Sequence, residues 1–164
     1  MTEWEMRAEQ RRMLGHGALI MLVAFAAGIG LLVSLLGGIE LIPGHIVAVP
    51  IFGATDGWRI AHLGGLTNGM LVWLVALCLP VLQGGAKFTR TLGWMLIGTG
   101  WANTLFYWAA LLSPNEALSF GPNRFGAANW ASIVGLLPAL LFVAVVIAAL
   151  VMIARQAFAV PAKS

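Results

Sequence analysis

Four long stretches that contain no Asp, Glu, Lys or Arg divide this chain of 164 residues. They cover residues 13–39, 60–86, 91–115 and 125–154. Each stretch exceeds the roughly 20 residues that an apolar helix needs to cross a hydrocarbon core about 30 Å thick. Because no water satisfies the backbone there, a crossing segment must be helical. We therefore predict an all-α fold, a single integral membrane domain built as a four-helix transmembrane bundle.

The predicted helix ends follow from glycine and proline signals. Gly37 and Gly38 end the first apolar stretch, and a long loop rich in Gly and Pro follows them. We place the helices near residues 14–36, 62–83, 89–112 and 129–154. Only 9% of the residues are charged, against about 25% in a soluble domain. Most of the surface must therefore face a lipid bilayer.

The composition also excludes other classes of protein. The nine Lys and Arg residues form no basic run, which argues against nucleic-acid binding. Cys78 is the only cysteine. An intrachain disulfide and the covalent attachment of a c-type haem through C-x-x-C-H are therefore both excluded.

The distribution of Lys and Arg predicts the orientation in the membrane. Seven of the nine lie before helix one, between helices two and three, or after helix four. Only Arg59 and Arg124 lie on the other side. We therefore expect both termini in the cytoplasm, although Glu3, Glu5 and Glu9 partly offset the arginines near the N-terminus.

Polar residues inside the spans suggest function, because they are costly in lipid. The predicted spans hold His16, His62, Asn68, Thr99, Asn103 and Tyr107. They hold no carboxylate. This absence argues against a proton pump or an ion-coupled transporter, which usually need Asp or Glu relays.

Thr99, Asn103 and Tyr107 recur every four residues and so share one face of helix three. Helices two and three are joined by a short turn, so their residues can be matched in depth. Asn68 then falls between Asn103 and Tyr107. We expect these polar groups to gather in the non-cytoplasmic half of the bundle. Hydrogen bonding that merely holds the helices together is an equally good interpretation of the stripe.

His62 is predicted to begin helix two. A neutral imidazole is a common axial ligand of haem iron, and Gly64 and Gly65 would let a flat macrocycle or another helix approach closely. The residues alone leave open a second interpretation, an interfacial histidine bonded to a loop carbonyl. His16 lies too far from His62 in depth to share one iron and is expected to make a structural or interfacial hydrogen bond. His45 is expected to be a solvated or loop-ordering residue.

The tryptophans suggest two environments. Four fall near predicted helix ends, as in the aromatic belts at membrane interfaces: Trp58, Trp94, Trp108 and Trp130. Trp73 and Trp101 lie deeper, and they either line a pocket for an aromatic ligand or pack in the core.

An ordered set of motifs extends over about residues 11–138. It consists of Gly15-His16-Gly17, Gly37-Gly38, Ile42-Pro43-Gly44, Gly57-Trp58, Ala61-His62, Asn68-Gly69, Gly100-Trp101, Asn103, Phe106-Tyr107, Ser113-Pro114-Asn115, Phe120-Gly121-Pro122-Asn123 and Phe125-Gly126. No single piece is specific, but the set includes loop motifs that hydropathy would not dictate. In order and spacing it resembles the styrene oxide isomerase family.

The resemblance implies a haem b-dependent isomerase, an intramolecular oxidoreductase that converts aryl epoxides such as styrene oxide to aldehydes such as phenylacetaldehyde. It also implies a homotrimer in the inner (cytoplasmic) membrane of a bacterium, with the haem bound between neighbouring protomers. His62 matches the axial ligand of the ferric iron. Tyr107, Asn103 and Asn68 match polar residues of the substrate pocket.

The chemistry that this resemblance implies needs a Lewis acid to pull on the epoxide oxygen. The benzylic C–O bond then opens, and a hydride shift gives the aldehyde. A dry, apolar pocket would keep water from trapping the cation as a diol. Two alternatives stay open: a small b-type cytochrome, which would need a second strong axial ligand, and a non-enzymatic membrane protein.

Two positions depart from the family pattern. Thr99 stands where we would expect an acidic residue, and His45 stands where we would expect an aromatic residue after Pro-Gly. Arg59 and Arg124, the cations on the non-cytoplasmic side, either pair with the haem propionates or are simply solvated.

Overall fold

The computed structural model describes residues 2–159 and contains four long helices and one small hairpin. In chain order the elements are α1 (Glu3–Leu36), β1 (Gly38–Ile42), β2 (His45–Ala48), α2 (Thr55–Leu82), α3 (Ala86–Leu111) and α4 (Trp130–Ala159). Within the described residues, α1, α2 and α4 are long and apolar enough to cross a membrane. The structure thus agrees with three of the four predicted spans and indicates a membrane protein.

The most apolar stretch of helix α3 is less apolar than those of the other three helices, and α3 packs among them. Gly100 of α3 approaches Ile20 of α1 and Val72 of α2, and Gly98 of α3 approaches Phe142 of α4. A helix that exposes little side chain to lipid can carry polar residues. Its 26 residues span about 39 Å at 1.5 Å per residue, enough to cross a bilayer. That α3 crosses the membrane stays a prediction.

Helix α1 begins at Glu3, eleven residues before the predicted start at 14. Thr2 accepts a hydrogen bond from the Glu5 backbone N–H at 3.2 Å, and the Glu5 carboxylate accepts one from the Thr2 N–H at 2.8 Å. This reciprocal pair is a capping box, and its hydrogen bonds lower the pKa of the Glu5 carboxyl. An ion pair between Glu3 and Arg7, one turn apart, adds support. The polar segment is therefore helical although hydropathy does not mark it.

Helix α2 begins at Thr55, so the prediction that His62 begins this helix was wrong. His62 lies about two turns inside it. Ala54 has extended backbone, and Asp56 occupies the first turn, where a carboxylate interacts favourably with the helix dipole. The apolar stretch starts only after Arg59, which is why hydropathy placed the boundary too late.

The predicted loop between the first two spans contains the β1–β2 hairpin, a small addition to an otherwise all-α fold. The two strands are antiparallel, with Ile39 opposite Val47. The Glu40 carboxylate accepts a hydrogen bond from the Gly44 N–H at 2.5 Å, which closes the turn. Hydropathy shows only that this segment is not a membrane helix. It carries no information about strand pairing, so it could not reveal the hairpin.

The bundle has two different ends. We name the "loop end" the end that carries the hairpin and the α3–α4 connection, residues 112–129. The opposite end carries the start of α1, the α2–α3 turn and the end of α4. Lys163, which contributed to the predicted orientation, lies outside the described residues.

The tryptophans near the loop end do not form one belt. Trp58 is 3% exposed, and its indole N–H donates to the Phe52 carbonyl at 2.8 Å. Trp108 packs edge-on against Trp58 at 5.5 Å between ring centres. Trp130 is 67% exposed, as expected of a belt residue. The belt prediction was therefore wrong for Trp58, which anchors the α1–α2–α3 contact.

Candidate functional site

Three polar residues meet between α2 and α3. The Asn103 side-chain amide donates to Asn68 Oδ1 at 3.1 Å. The Asn68 amide donates to the Gly64 carbonyl at 2.8 Å and, at 3.4 Å, to the Tyr107 hydroxyl. We call this the Asn103–Asn68–Tyr107 chain. Depth matching predicted that these residues would meet, and the structure brings them together, each partly buried.

A glycine makes this arrangement possible. Gly64 lies one turn before Asn68 on α2, and a Cβ added there would lie 2.6 Å from the Tyr107 ring. Any larger residue would therefore displace the phenol. Asn103 and Tyr107 lie one turn apart on α3, so both face α2.

Thr99, the third residue of the predicted stripe, does not join this chain. It is 4% exposed, and its hydroxyl donates to the Met95 carbonyl of its own helix at 2.8 Å. Such a bond satisfies the donor of a buried hydroxyl within its own helix. The four-residue spacing therefore correctly grouped Asn103 with Tyr107. Thr99 shares their spacing but does not join the Asn103–Asn68–Tyr107 chain.

A cleft of about 390 Å³ opens beside Tyr107 at the loop end. We call it the Tyr107 cleft. It is lined by residues from the start of α2, the end of α3 and the following segment: Gly53, Ala54, Asp56, Gly57, Ile60, Phe106, Tyr107, Ala110, Leu111, Leu112, Ser113, Pro114, Glu116 and Leu118. Its volume lies within the range of about 300–1,000 Å³ that is usual for small-molecule sites. Sequence reasoning missed most of this lining; half of the lining residues lie in loops, whose geometry hydropathy does not predict.

His62 packs against α1 and not against α3. Its Nδ1 lies 2.9 Å from the Ala24 carbonyl oxygen. A carbonyl only accepts hydrogen bonds, so in the neutral imidazole Nδ1 carries the proton and Nε2 keeps its lone pair. A Cβ added at Gly28 would lie 2.7 Å from Nδ1, so this glycine admits the ring. Phe25 packs edge-on against the imidazole, with the ring centres 6.0 Å apart.

The histidine and the polar chain lie on opposite sides of α2. His62 and Gly64 are two residues apart and therefore about 200° apart around the helix. His62 contacts α1, whereas Gly64 contacts Tyr107 of α3. A single protomer therefore does not bring His62 and Tyr107 to the same side of this helix.

The described residues, 2–159, contain no group of three or more His, Cys, Asp or Glu side chains that could hold a metal ion. A haem iron does not need such a group, because the porphyrin supplies its own ligands and the protein adds an axial one. His62 has a further property of metal-binding histidines, a second ring nitrogen held by a backbone carbonyl.

The other two histidines are placed differently. The Trp101 indole N–H donates to His16 Nδ1 at 3.2 Å, so His16 makes the structural hydrogen bond that was expected and Trp101 is its partner. Twelve residues of α1 separate His16 from Gly28, which touches His62, a rise of about 18 Å. His45 is exposed on β2.

The cations of the loop end have local partners. Arg59 pairs with Asp56 on the same helix at 2.5 Å, and both side chains are more than half exposed. The Arg124 guanidinium lies 4.6 Å from the Phe125 ring centre. Both contacts agree with solvated loop residues, the simpler of the two interpretations.

Comparison with known proteins identifies the family. A family model described as styrene oxide isomerase matches residues 9–158. The chain belongs to this family. A styrene-oxide isomerase from Pseudomonas fluorescens is 42% identical over 152 residues, which cover 93% of this chain and 90% of that protein. Membership confirms the resemblance seen in the motifs and makes the chain an isomerase. The alternative of a non-enzymatic membrane protein was therefore wrong.

Proposed function

We propose that this isomerase converts aryl epoxides such as styrene oxide to aldehydes such as phenylacetaldehyde. The observation that carries the proposal is the Asn103–Asn68–Tyr107 chain, whose Tyr107 also lines a largely apolar cleft. An epoxide oxygen needs polar groups beside it, and an aryl ring needs apolar surface. The cleft offers both within one small volume.

Tyr107 is the residue best placed to interact with the epoxide oxygen. Its hydroxyl accepts from Asn68, so its own proton stays available for donation to a ligand oxygen. Asn103 in turn donates to Asn68 Oδ1, which fixes the orientation of the Asn68 amide. We therefore assign Tyr107 to direct contact with the oxygen. Asn68 orients the phenol, and Asn103 orients Asn68.

The apolar part of the cleft lining would limit the access of water to the reacting carbon. Ring opening develops positive charge at the benzylic carbon, and water would trap that charge as a diol. Ile60, Phe106 and Leu118 line the cleft with side chains that do not hold water. A dry site also strengthens the polar contacts within it. An aryl epoxide partitions into lipid, so a membrane enzyme meets its substrate where that substrate accumulates.

We further propose that the cofactor is haem b with His62 as its axial ligand. The free Nε2 lone pair and the Nδ1–Ala24 contact fit this role. Phe25, Ile29 and Leu63 next to the histidine are exposed and apolar, and so suit a flat macrocycle. When bound, ferric haem supplies a Lewis acid for the epoxide oxygen.

The placement of His62 and Tyr107 on opposite sides of α2 supports a shared site. In a homotrimer with ring symmetry, every interface joins one surface of a protomer to a different surface of its neighbour. One protomer then presents His62, and its neighbour presents the Asn103–Asn68–Tyr107 chain. We propose this arrangement, with the haem between protomers, because it unites residues that a single chain keeps apart.

We also propose that all four helices cross the inner membrane of a bacterium, with both termini in the cytoplasm. The length of α3 and the excess of Lys and Arg at the end of the bundle opposite the loop end support this orientation.

The test is to incubate purified, detergent-solubilised protein with styrene oxide while its absorption spectrum is recorded. We expect phenylacetaldehyde to form in protein that shows a Soret band with an open coordination site. A haem-free protein that turns over would contradict the cofactor. A six-coordinate, low-spin haem without turnover would contradict the proposed reaction at an open coordination site.

A further inference from the structure

The Tyr107 cleft has one wall that an unusual turn holds in place. Asn115, directly after α3, is fully buried at 0% exposure. Its Oδ1 lies 2.6 Å from the Ser113 hydroxyl and 2.7 Å from the Ser132 hydroxyl, and it accepts from the Ala117 N–H at 3.1 Å. One buried oxygen therefore ties the end of α3, the turn and the start of α4 together.

The amide nitrogen of Asn115 completes the arrangement. It donates to the Ser119 carbonyl at 2.8 Å and to the Gly121 carbonyl at 3.0 Å. Asn123 donates from its own amide to the Asn115 carbonyl at 3.0 Å. A buried network in which each polar atom has partners is rigid, and it specifies one conformation.

This network holds an unfavourable backbone. Glu116 and Ala117 have φ values of 56° and 52°, the left-handed region that residues other than glycine avoid. Two such residues in succession persist only where the surroundings enforce them, and such positions concentrate at ligand-binding sites. Ala117 is fully buried, whereas Glu116 is exposed and lines the cleft.

The turn therefore positions side chains against the cleft. Pro114, Glu116 and Leu118 line it from one side, and the start of α2 lines it from another. Asp56 contributes a second carboxylate. Asp56 is paired with Arg59, so Glu116 is the carboxylate that disfavours carboxylate or phosphate ligands, while the remaining lining is mostly apolar. The chemistry of the cleft thus fits a neutral aromatic group.

We propose that residues 113–118, held by Asn115 and Ser132, form the aryl-binding wall of the Tyr107 cleft and determine which aryl groups the enzyme accepts. This inference rests on the proposed function for the identity of the substrate. Leu118 contacts the aryl group, whereas Asn115 and Ser132 are positioning residues that act through the wall.

A binding experiment tests the aryl-binding wall independently of catalytic turnover. Tyr107 is the only tyrosine, so labelling with 3-fluorotyrosine gives one ¹⁹F resonance at the cleft. Titration of the holoenzyme with styrene, which has the aryl group but no epoxide, should shift this resonance saturably. Leu118→Trp should weaken styrene binding by about tenfold or more, because it fills apolar space. Leu137→Trp, on an exposed α4 position outside the cleft lining, is the matched control and should bind as the unchanged protein does.

A kinetic experiment tests specificity. Leu118→Ala should lower KM for a naphthyl epoxide relative to styrene oxide, with kcat changed by less than about twofold, because the wall does not touch the reacting atoms. Ser132→Ala removes the hydrogen bonds of the Ser132 hydroxyl with Asn115, Ser113 and Asn129, but it leaves the other bonds of Asn115 in place and so avoids the full disruption that Asn115→Ala would cause. It should raise KM for both epoxides with haem content and kcat retained, and Ser132→Thr should restore KM.

The outcomes separate this inference from the proposed function. Absence of turnover together with Leu118-dependent styrene binding would contradict the reaction and support the aryl-binding wall. Equal styrene binding by Leu118→Trp and Leu137→Trp, or no ¹⁹F shift at all, would overturn the wall even if styrene oxide is isomerised. A fall in kcat without a change in KM for Ser132→Ala would also overturn it.

Discussion

The two sides of helix α2 carry different chemistry. The side toward α1 presents His62, held by one backbone carbonyl and admitted by Gly28. The side toward α3 presents Asn68, held in a chain of amide and hydroxyl groups. One side thus offers a single basic nitrogen with a free lone pair, and the other offers hydrogen-bond donors. The helix thus separates the proposed metal ligand from the groups proposed to contact the substrate oxygen.

The largest expected effect comes from removal of the proposed ligand. His62→Ala should abolish or greatly weaken the Soret band and lower turnover by at least about 100-fold, because even groups that only orient a ligand contribute 10–100-fold. Haem per protein and aldehyde formation are the measurements. His45→Ala, on the exposed hairpin, is the control and should resemble the unchanged enzyme. Full haem content in His62→Ala would refute the assignment.

Tyr107, which packs against α2 from α3, should affect the reaction without affecting the cofactor. Tyr107→Phe removes only the hydroxyl and should lower kcat by about 100-fold, at the lower limit for a group that assists proton or charge transfer. Its Soret band should keep its intensity. If Tyr107→Phe turns over at the original rate, the phenol has no catalytic role.

A smaller effect is expected from a substitution on α1 beside His62. Gly28→Ala places a Cβ 2.7 Å from His62 Nδ1, so the imidazole must move. Haem affinity should fall by about tenfold, the lower limit for a disturbed supporting contact, while styrene binding at the Tyr107 cleft is retained. Gly15→Ala is the matched control, because a Cβ there meets no atom within 4 Å. Equal haem affinity in both variants would show that the close approach of the His62 ring to α1 does not contribute to haem binding.

The smallest effects are expected from substitutions of Asn103 and Thr99, which lie on one face of α3. Asn103→Leu removes the bond that orients Asn68 and should lower kcat by about tenfold, equivalent to roughly 1.4 kcal/mol. Thr99→Val removes only a bond to Met95 within the same helix and should change kcat by less than about twofold. Steady-state kinetics on both variants checks the pair. A larger effect at Thr99 than at Asn103 would show that the chain has been assigned to the wrong residues.

The sequence predicted the parts of the molecule that depend on local spacing. Asn68, Asn103 and Tyr107 could be expected to meet, because a short turn between antiparallel helices sets the depth of each residue. The motif Thr2-x-x-Glu5 also signals a helix start, and attention to it would have placed the beginning of α1 correctly.

Features that depend on distant contacts were not predictable in this way. The side of α2 that His62 occupies depends on Ala24 and Gly28, residues more than 30 positions earlier in the chain. The Asn115 network joins Ser113 to Ser132 across a loop. Neither hydropathy nor periodicity contains that information, because both describe one helix at a time.

Mixed oligomers test most directly whether the two sides of α2 meet across protomers. His62→Ala and Tyr107→Phe chains carrying different affinity tags are co-expressed, and complexes holding both are purified in two steps. In a mixed trimer with ring symmetry, about one site in three receives His62 from one protomer and Tyr107 from its neighbour. We predict about one third of the unmutated turnover, well above that of either variant alone. Mixed complexes no more active than the better single variant would contradict a site shared between protomers.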